Sequence, residues 1–547
     1  MPYLSLVFGP WLSVAVVLVP LLGLMGIIGL AIHRLYFHSL SKYPGPLLAK
    51  LTTWYSVYHT ITGDLHTDIW ECHQKYGPIV RYAPNRLLIN TPSGLKAIYG
   101  HGANVQKAKS YTRITLVKGA QPTISTIDNE RHGKIRRVLN QGLSDGHIRA
   151  MDGEMTAVAA LFAERLGEET DRFREHGTRS PSASRSTGEG DSWSGAKNMA
   201  EWCDFFTFDI MSRLVFGTSY NLLGDASNHW IIDGVLGQLR RISYISQLPE
   251  AETLKLDRVL FPNARRKAVQ FSLKSREIME ARKNKDVSES KNDVFSKLLA
   301  AKDPETGEAL SHGQLWAESN LLIIAGSDTS STGLAATFFY LTRNPSTYDR
   351  VTKEVRSTFP TPGEVCQGPK LSSCVYLRAC IQEALRLAPA VSGAMWREVL
   401  PGGLSLNMGE DDAKEDVLDI PAGYEIGTGV WSLNHNEQYY PGPFSFRPER
   451  WISQESGEEA VRLAKAAYAT FSIGPRNCVG KGLAMTEMAL AMAAVISRYD
   501  FRKADGVDGQ IGEGKGPFEG QYQTFYTFTS LKDGPMIQFR PCQKVNE

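Results

Sequence analysis

The chain has 547 residues, room for two or three ordinary domains or one large enzyme fold. Lys and Arg number 60 against 58 Asp and Glu, a net formal charge of +2, which leaves no broad cationic surface for a phosphate backbone and argues against a nucleic-acid partner. Hydrophobic residues are 42% and charged residues 22% of the chain, a balance that disfavours both wholesale disorder and a polytopic membrane protein.

The first 32 residues carry no charged side chain, and 11–32 is an almost unbroken apolar run. Its length of about 22 residues suffices for a helix across a bilayer. Basic residues follow it at Arg34, Lys42 and Lys50, so the positive-inside rule predicts an uncleaved anchor with the bulk of the chain in the cytosol. The turn Tyr43-Pro44-Gly45-Pro46 then reads as a stiff connection. The expected organisation is an anchor over 1–34, a proline-containing hinge over 35–50 and one catalytic body over 51–547.

Alternating apolar runs at 79–82 and 86–90 predict a small sheet near the amino end. From 128 to 387 the periodicity is mostly helical, with long stretches at 151–174, 202–215, 264–282 and 314–341. The Ser/Gly-rich segment 174–197 interrupts it and reads as a mobile surface loop. Strand-like runs return at 417–420, 521–529 and 536–539. The fold class that follows is mainly α with small peripheral β-sheets.

Seven cysteines, at 72, 203, 366, 374, 380, 478 and 542, are scattered without a Cys-x-x-Cys pair, a pattern that argues against a disulfide framework and a structural zinc site. Cys478 stands apart. It lies in Phe471-Ser472-Ile473-Gly474-Pro475-Arg476-Asn477-Cys478-Val479-Gly480, just before an Ala/Met-rich helical pattern. A thiol at a helix amino end is favoured as thiolate, and Gly474 and Gly480 allow close approach of backbone to sulfur or to a flat ligand.

Phe-x-x-Gly-x-Arg-x-Cys-x-Gly resembles the haem-binding loop of the cytochrome P-450 superfamily. Three shorter elements in the expected order extend the resemblance over nearly the whole chain: Ala325-Gly326-Ser327-Asp328-Thr329, Glu383-Ala384-Leu385-Arg386, and Phe446-Arg447-Pro448-Glu449-Arg450-Trp451, with Trp where the family usually has Phe. The resemblance implies a triangular-prism helical body enclosing haem b. It implies Cys478 as thiolate ligand of the iron, Phe471 beside the porphyrin, and Arg476, His132, Arg136 and Arg397 as partners of the haem propionates. Glu383, Arg386 and Arg450 are expected to form a buried structural network, Asp328 and Thr329 to deliver protons, and Ala325 and Gly326 to leave room for oxygen.

No NADPH or flavin module is legible in the sequence, so the resemblance implies electrons from NADPH through a separate diflavin reductase, docked near Lys134, Arg137 and Lys481. The implied activity is a monooxygenase acting with O2 on an apolar small molecule, resembling membrane-anchored fungal members of secondary-metabolite biosynthesis. The implied location is the endoplasmic reticulum membrane, with the body facing the cytosol. Two other readings are a haem-thiolate isomerase or dehydratase, which would need no proton relay, and a non-catalytic membrane haem-binding protein. The resemblance places the substrate pocket against the segment after the helix of His132 and Arg136, 228–271, the helix through Asp328, and 388–394.

Overall fold

The computed structural model describes residues 3–114, 119–168, 193–248, 253–283, 293–407 and 417–542, with side chains from residue 16 onward. An apolar helix, Tyr3–Ile32, leads the chain; within and beyond it, Val16–Phe37 has mean hydropathy 2.4 and none of it is buried against the body. Length and composition make this one candidate membrane span, the only one among the described residues. The chain is then joined to the body through Arg81. Its backbone N–H donates to Pro44 at 2.7 Å, its buried guanidinium donates to the Arg34 carbonyl at 2.7 Å, and a Cβ at Gly45 would sit 2.3 Å from its carbonyl oxygen.

The body is built on one long helix, His312–Arg343, 32 residues with most side chains buried. Its closest neighbour is Met199–Phe216, a helix with almost no polar face, as expected of a helix packed on all sides. Val375–Leu387 and Lys481–Ile496 complete the centre. The helices expected at 202–215, 264–282 and 314–341 are observed as Met199–Phe216, Pro262–Lys283 and His312–Arg343. The expected loop 174–197 lies outside the described residues up to 192; at its end Lys197 is already in a strand, paired with Ile537.

A five-stranded sheet lies to one side, in the order Ile79–Ala83, Arg86–Ile89, Glu425–Gly427, Arg397–Val399 and Val105–Lys107. The last two strands are antiparallel and set Lys107 opposite Arg397. The apolar run 521–529 is a hairpin, Thr524–Thr527 with Thr529–Lys532, turning at Phe528 with a left-handed φ of 71°.

Candidate active site

Between the long helix, the Cys478 loop and the C-terminal hairpin lies a cavity of about 300 Å³. The loop is folded back on itself: the Cys478 N–H donates to the Phe471 carbonyl at 2.9 Å. Gly474 makes this possible. Its φ is +70°, and a Cβ there would lie 2.0 Å from the Tyr99 carbonyl oxygen, so no other residue fits. Gly480 differs, because its φ is an ordinary −89°, it lines the cavity, and a Cβ would meet no protein atom within 4 Å.

The Cys478 thiol is exposed, and it lines the cavity. The protein packed around it desolvates the sulfur and pushes it up, while the Gly480 and Lys481 N–H groups at the helix end pull it down, as expected of a helix amino end, with help from the Arg136 and Lys481 charges. These groups compensate part of the desolvation, and a bound metal cation would shift the balance further to thiolate.

Arg136, Arg397, Arg476 and His132 come together at the cavity, with Lys107 beside them. Among the described residues none of Arg136, Arg397, Arg476 and Lys107 meets a carboxylate. Arg476 donates to the Thr126 and Ile127 carbonyls at 2.6 Å each, Arg136 to the Asn477 carbonyl and side-chain oxygen at 2.7 Å each, Arg397 to the Trp396 carbonyl at 3.1 Å, and Lys107 to the Ile124 carbonyl at 2.7 Å. Burial, followed by the charges of Arg476 and Lys107, lowers His132 to about 3. Burial and then Arg397 lower Arg476 to about 10 and hold Lys107 well below the usual lysine range. Uncompensated buried cations are costly, and a compact dianion would offset much of that charge. The two propionates of a haem are such a group, and the bare Gly480 beside Cys478 leaves space for its flat face. The residues present thus fit haem b.

Lys107 was not legible in the sequence. Val105-Gln106-Lys107 is a short alternating run, and only the pairing with Arg397 reveals that its third side chain is turned inward.

The cavity also has apolar walls. Leu321, Leu322, Ala325, Val391, Ala394 and Phe528 are among them. The 388–394 stretch contributes as expected, whereas no described residue of 228–271 lines the cavity; Tyr111 and the hairpin residues Tyr526 and Phe528 do instead. The hairpin lies far in sequence from the motifs, and no local pattern marks it as part of the pocket.

Thr329 lines the cavity with its hydroxyl donating to the Ala325 carbonyl at 2.7 Å. Asp328 is fully buried behind it, and neither carboxylate oxygen has a hydrogen-bond partner. Burial raises it to about 6, with Lys532 opposing. Gly326 lines the cavity, and its missing side chain also makes room for Met211, whose Cε would lie 2.6 Å from an added Cβ. A further buried acid, Glu487, lines the cavity near Ser330, and burial pushes it up to about 8.

The Glu383 network is complete. Arg386 bonds both carboxylate oxygens at 2.9 Å, and Arg450 Nε reaches Oε1 at 3.1 Å. The Trp451 indole N–H donates to Oε2 at 2.9 Å, a bond that the usual phenylalanine could not make. Burial alone would raise this carboxyl; Arg386 and Arg450 hold it below the usual range. The network reaches the cysteine loop, since Arg386 donates to the Asn434 carbonyl at 2.7 Å and the Asn434 amide donates to Thr470 at 3.0 Å, next to Phe471.

Of the basic residues expected to face a redox partner, Arg137 is taken by Asp303 at 2.6 Å and Glu305 at 2.9 Å, and Lys134 meets Glu130 at 3.3 Å. The Lys481 ammonium lies 5.6 Å over the Phe471 ring.

The cytochrome P-450 family model matches residues 44–515. The chain is 60% identical to the cytochrome P-450 monooxygenase apf7 of Gibberella fujikuroi over 517 residues, covering 93% of this chain and 95% of that one. It is 40% identical to the monooxygenase AKT7 of Alternaria alternata, covering 93% and 94%, and 39% identical to atnE of Emericella nidulans, covering 94% and 96%. With these motifs, this fold and these relatives, the chain belongs to the cytochrome P-450 family of haem-iron monooxygenases.

Proposed function

We propose that the protein inserts one atom of O2 into an apolar small-molecule intermediate of fungal secondary metabolism, by hydroxylation, epoxidation or further oxidation, with electrons from NADPH arriving through a separate diflavin reductase. The observation that carries this reading is one cavity lined by an accessible thiol, a cluster of basic side chains without carboxylate partners, and apolar walls. When bound, haem b supplies the iron that activates O2, made electron-rich by a thiolate ligand.

Cys478 provides that thiolate, in a loop whose geometry Gly474 fixes. Arg476, Arg136, His132, Arg397 and Lys107, all in the cavity lining, would hold the propionate carboxylates, and Phe471, in the same lining, would supply apolar surface to the porphyrin. Leu321, Leu322, Val391 and Phe528 take the substrate's apolar surface out of water and keep bulk solvent from the reacting centre. Asp328 and Thr329 form the proton pathway: a carboxyl raised to about 6 by burial can hold and release a proton near neutral pH, and the Thr329 hydroxyl passes it to the cavity once its bond to the Ala325 carbonyl opens.

The apolar helix Tyr3–Ile32 supports a single-pass anchor, with an endoplasmic-reticulum location and a cytosolic body as the reading the flanking basic residues favour. The proposed division is an anchor over 1–34, a hinge over 35–50 and the catalytic body from 51 onward. The test is NADPH-dependent O2 consumption by the haem-loaded protein with a diflavin reductase, with metabolite profiles of a deletion strain to name the substrate. An accumulating apolar intermediate that the purified pair oxidises supports the reading; conversion of a peroxide without O2 or NADPH contradicts it.

A further inference from the structure

Asp328 sits in a small charged cluster that the reaction as described does not use. Lys532, on the second strand of the C-terminal hairpin, places its ammonium 2.9 Å from Asp204 on the helix Met199–Phe216, and both side chains are almost wholly buried. Ser331 of the long helix donates its hydroxyl to the same Asp204 oxygen. Asp328 faces this pair yet bonds to neither member, and the Thr529 hydroxyl beside it is also without a partner. Glu487 faces Ser330 on another side of the helix, and the Cys203 thiol is a neutral neighbour of Lys532. The cluster therefore holds two acids and one ammonium in a dry interior. Two ionised carboxylates against one ammonium leave a buried negative charge, so the arrangement favours keeping one proton. Asp204 already receives an ammonium and a hydroxyl; Asp328 has only the Thr529 hydroxyl beside it, short of a formed hydrogen bond.

We propose that the Lys532–Asp204 ion pair is a positioning device for proton delivery: by committing the ammonium to Asp204, it makes Asp328 the acid that carries the exchangeable proton. The inference rests on the reading of Asp328 and Thr329 as the proton pathway. The direction of the Asp328 shift agrees with it, since burial and Asp204 raise this carboxyl while Lys532 and Thr529 lower it. Lys532 and Asp204 touch neither substrate nor haem in this account; they act through Asp328. The hairpin also carries Phe528 into the cavity wall, so the residue holding the ammonium is four positions from one that meets the substrate.

The two members of the pair act on Asp328 with opposite sign, which gives a direct test. The infrared carbonyl band of the buried protonated carboxyl is followed with pH in the full-length ferric holoenzyme, and Asp328→Asn identifies the band by removing it. Lys532→Met should move the titration midpoint up by about one unit or more, and Asp204→Asn should move it down by a similar amount. Lys532→Arg, which keeps the charge, should leave it in place. Midpoints within about 0.3 units of the wild type in both neutralising variants, or a shift in the same direction in both, would overturn the proposal. Should Asp204→Asn fail to fold, the contrast between Lys532→Met and Lys532→Arg decides alone. The proton-pathway reading has its own readout: coupled substrate oxidation at the wild-type level in Asp328→Asn would sink that reading, whatever the midpoints do.

Discussion

Lys107 and Arg397 stand directly opposite each other on two antiparallel strands, both buried and both turned into the same cavity. Like charges in this relation destabilise a sheet, and here the two basic groups meet carbonyl oxygens and the Tyr99 and Tyr111 rings but no carboxylate. The arrangement suits a bound dianion better than it suits the empty fold. Lys107→Met should therefore raise the melting temperature of the haem-free protein and speed haem loss from the loaded one. Calorimetry of the two forms checks both signs; a less stable haem-free variant with unchanged haem retention would mean that Lys107 is a structural residue.

The two glycines of the cysteine loop predict different failures. Gly474→Ala must displace the Tyr99 backbone and adopt a left-handed φ, so soluble folded protein should be lost, with a cost of several kcal/mol. Gly480→Ala meets no protein atom, so the haem-free protein should keep its stability within about 0.5 kcal/mol while haem uptake falls. Expression, thermal melts and haem titration of the pair distinguish the cases.

What was legible in the sequence and what was not divides along physical lines. The Cys478 loop, Glu383 with Arg386, and the long helix were visible because their chemistry or periodicity is local: a glycine-bounded thiol, a pair one helical turn apart, and apolar positions at helical spacing. Lys107, Trp451 as a donor to Glu383 and the hairpin wall at Tyr526 and Phe528 were not, because each depends on a partner tens or hundreds of residues away. The packing of Met211 against Gly326 is a tertiary contact of the same kind, as is the absence of the described residues of 228–271 from the cavity lining.

Trp451 offers a graded test of the buried network. Trp451→Phe removes one bond to the charged Glu383 carboxylate and should cost about 1.5–3 kcal/mol. Glu383→Ala strands two buried guanidinium groups and should cost about 3–5 kcal/mol, with haem content falling in step. Denaturant unfolding together with haem quantitation measures both; equal and small effects would place the network outside the stability of the cysteine loop.

Glu318 predicts a pH dependence of stability. Wholly buried on the long helix, it accepts bonds from the Thr123 backbone and hydroxyl at 2.7 and 2.9 Å, and burial raises it to about 7 despite those bonds. A carboxyl raised in the folded state binds more protons there than in the unfolded chain. Its contribution is then fully present below the ordinary carboxylate range and is lost as pH rises to about 7. The span corresponds to about 3 kcal/mol at most. Glu318→Gln should flatten that part of the stability curve, read from melting temperature against pH; an unchanged slope would refute the assignment.

The central claim is that Cys478 binds the haem iron as a thiolate, and the carbon monoxide complex of the reduced protein tests it most directly. The account predicts the red-shifted Soret band of thiolate ligation in the wild type and its loss in Cys478→Ser, with the Glu383 network and the fold retained by circular dichroism. A wild-type band at the position given by histidine ligation, or a thiolate band that survives Cys478→Ser, would contradict it.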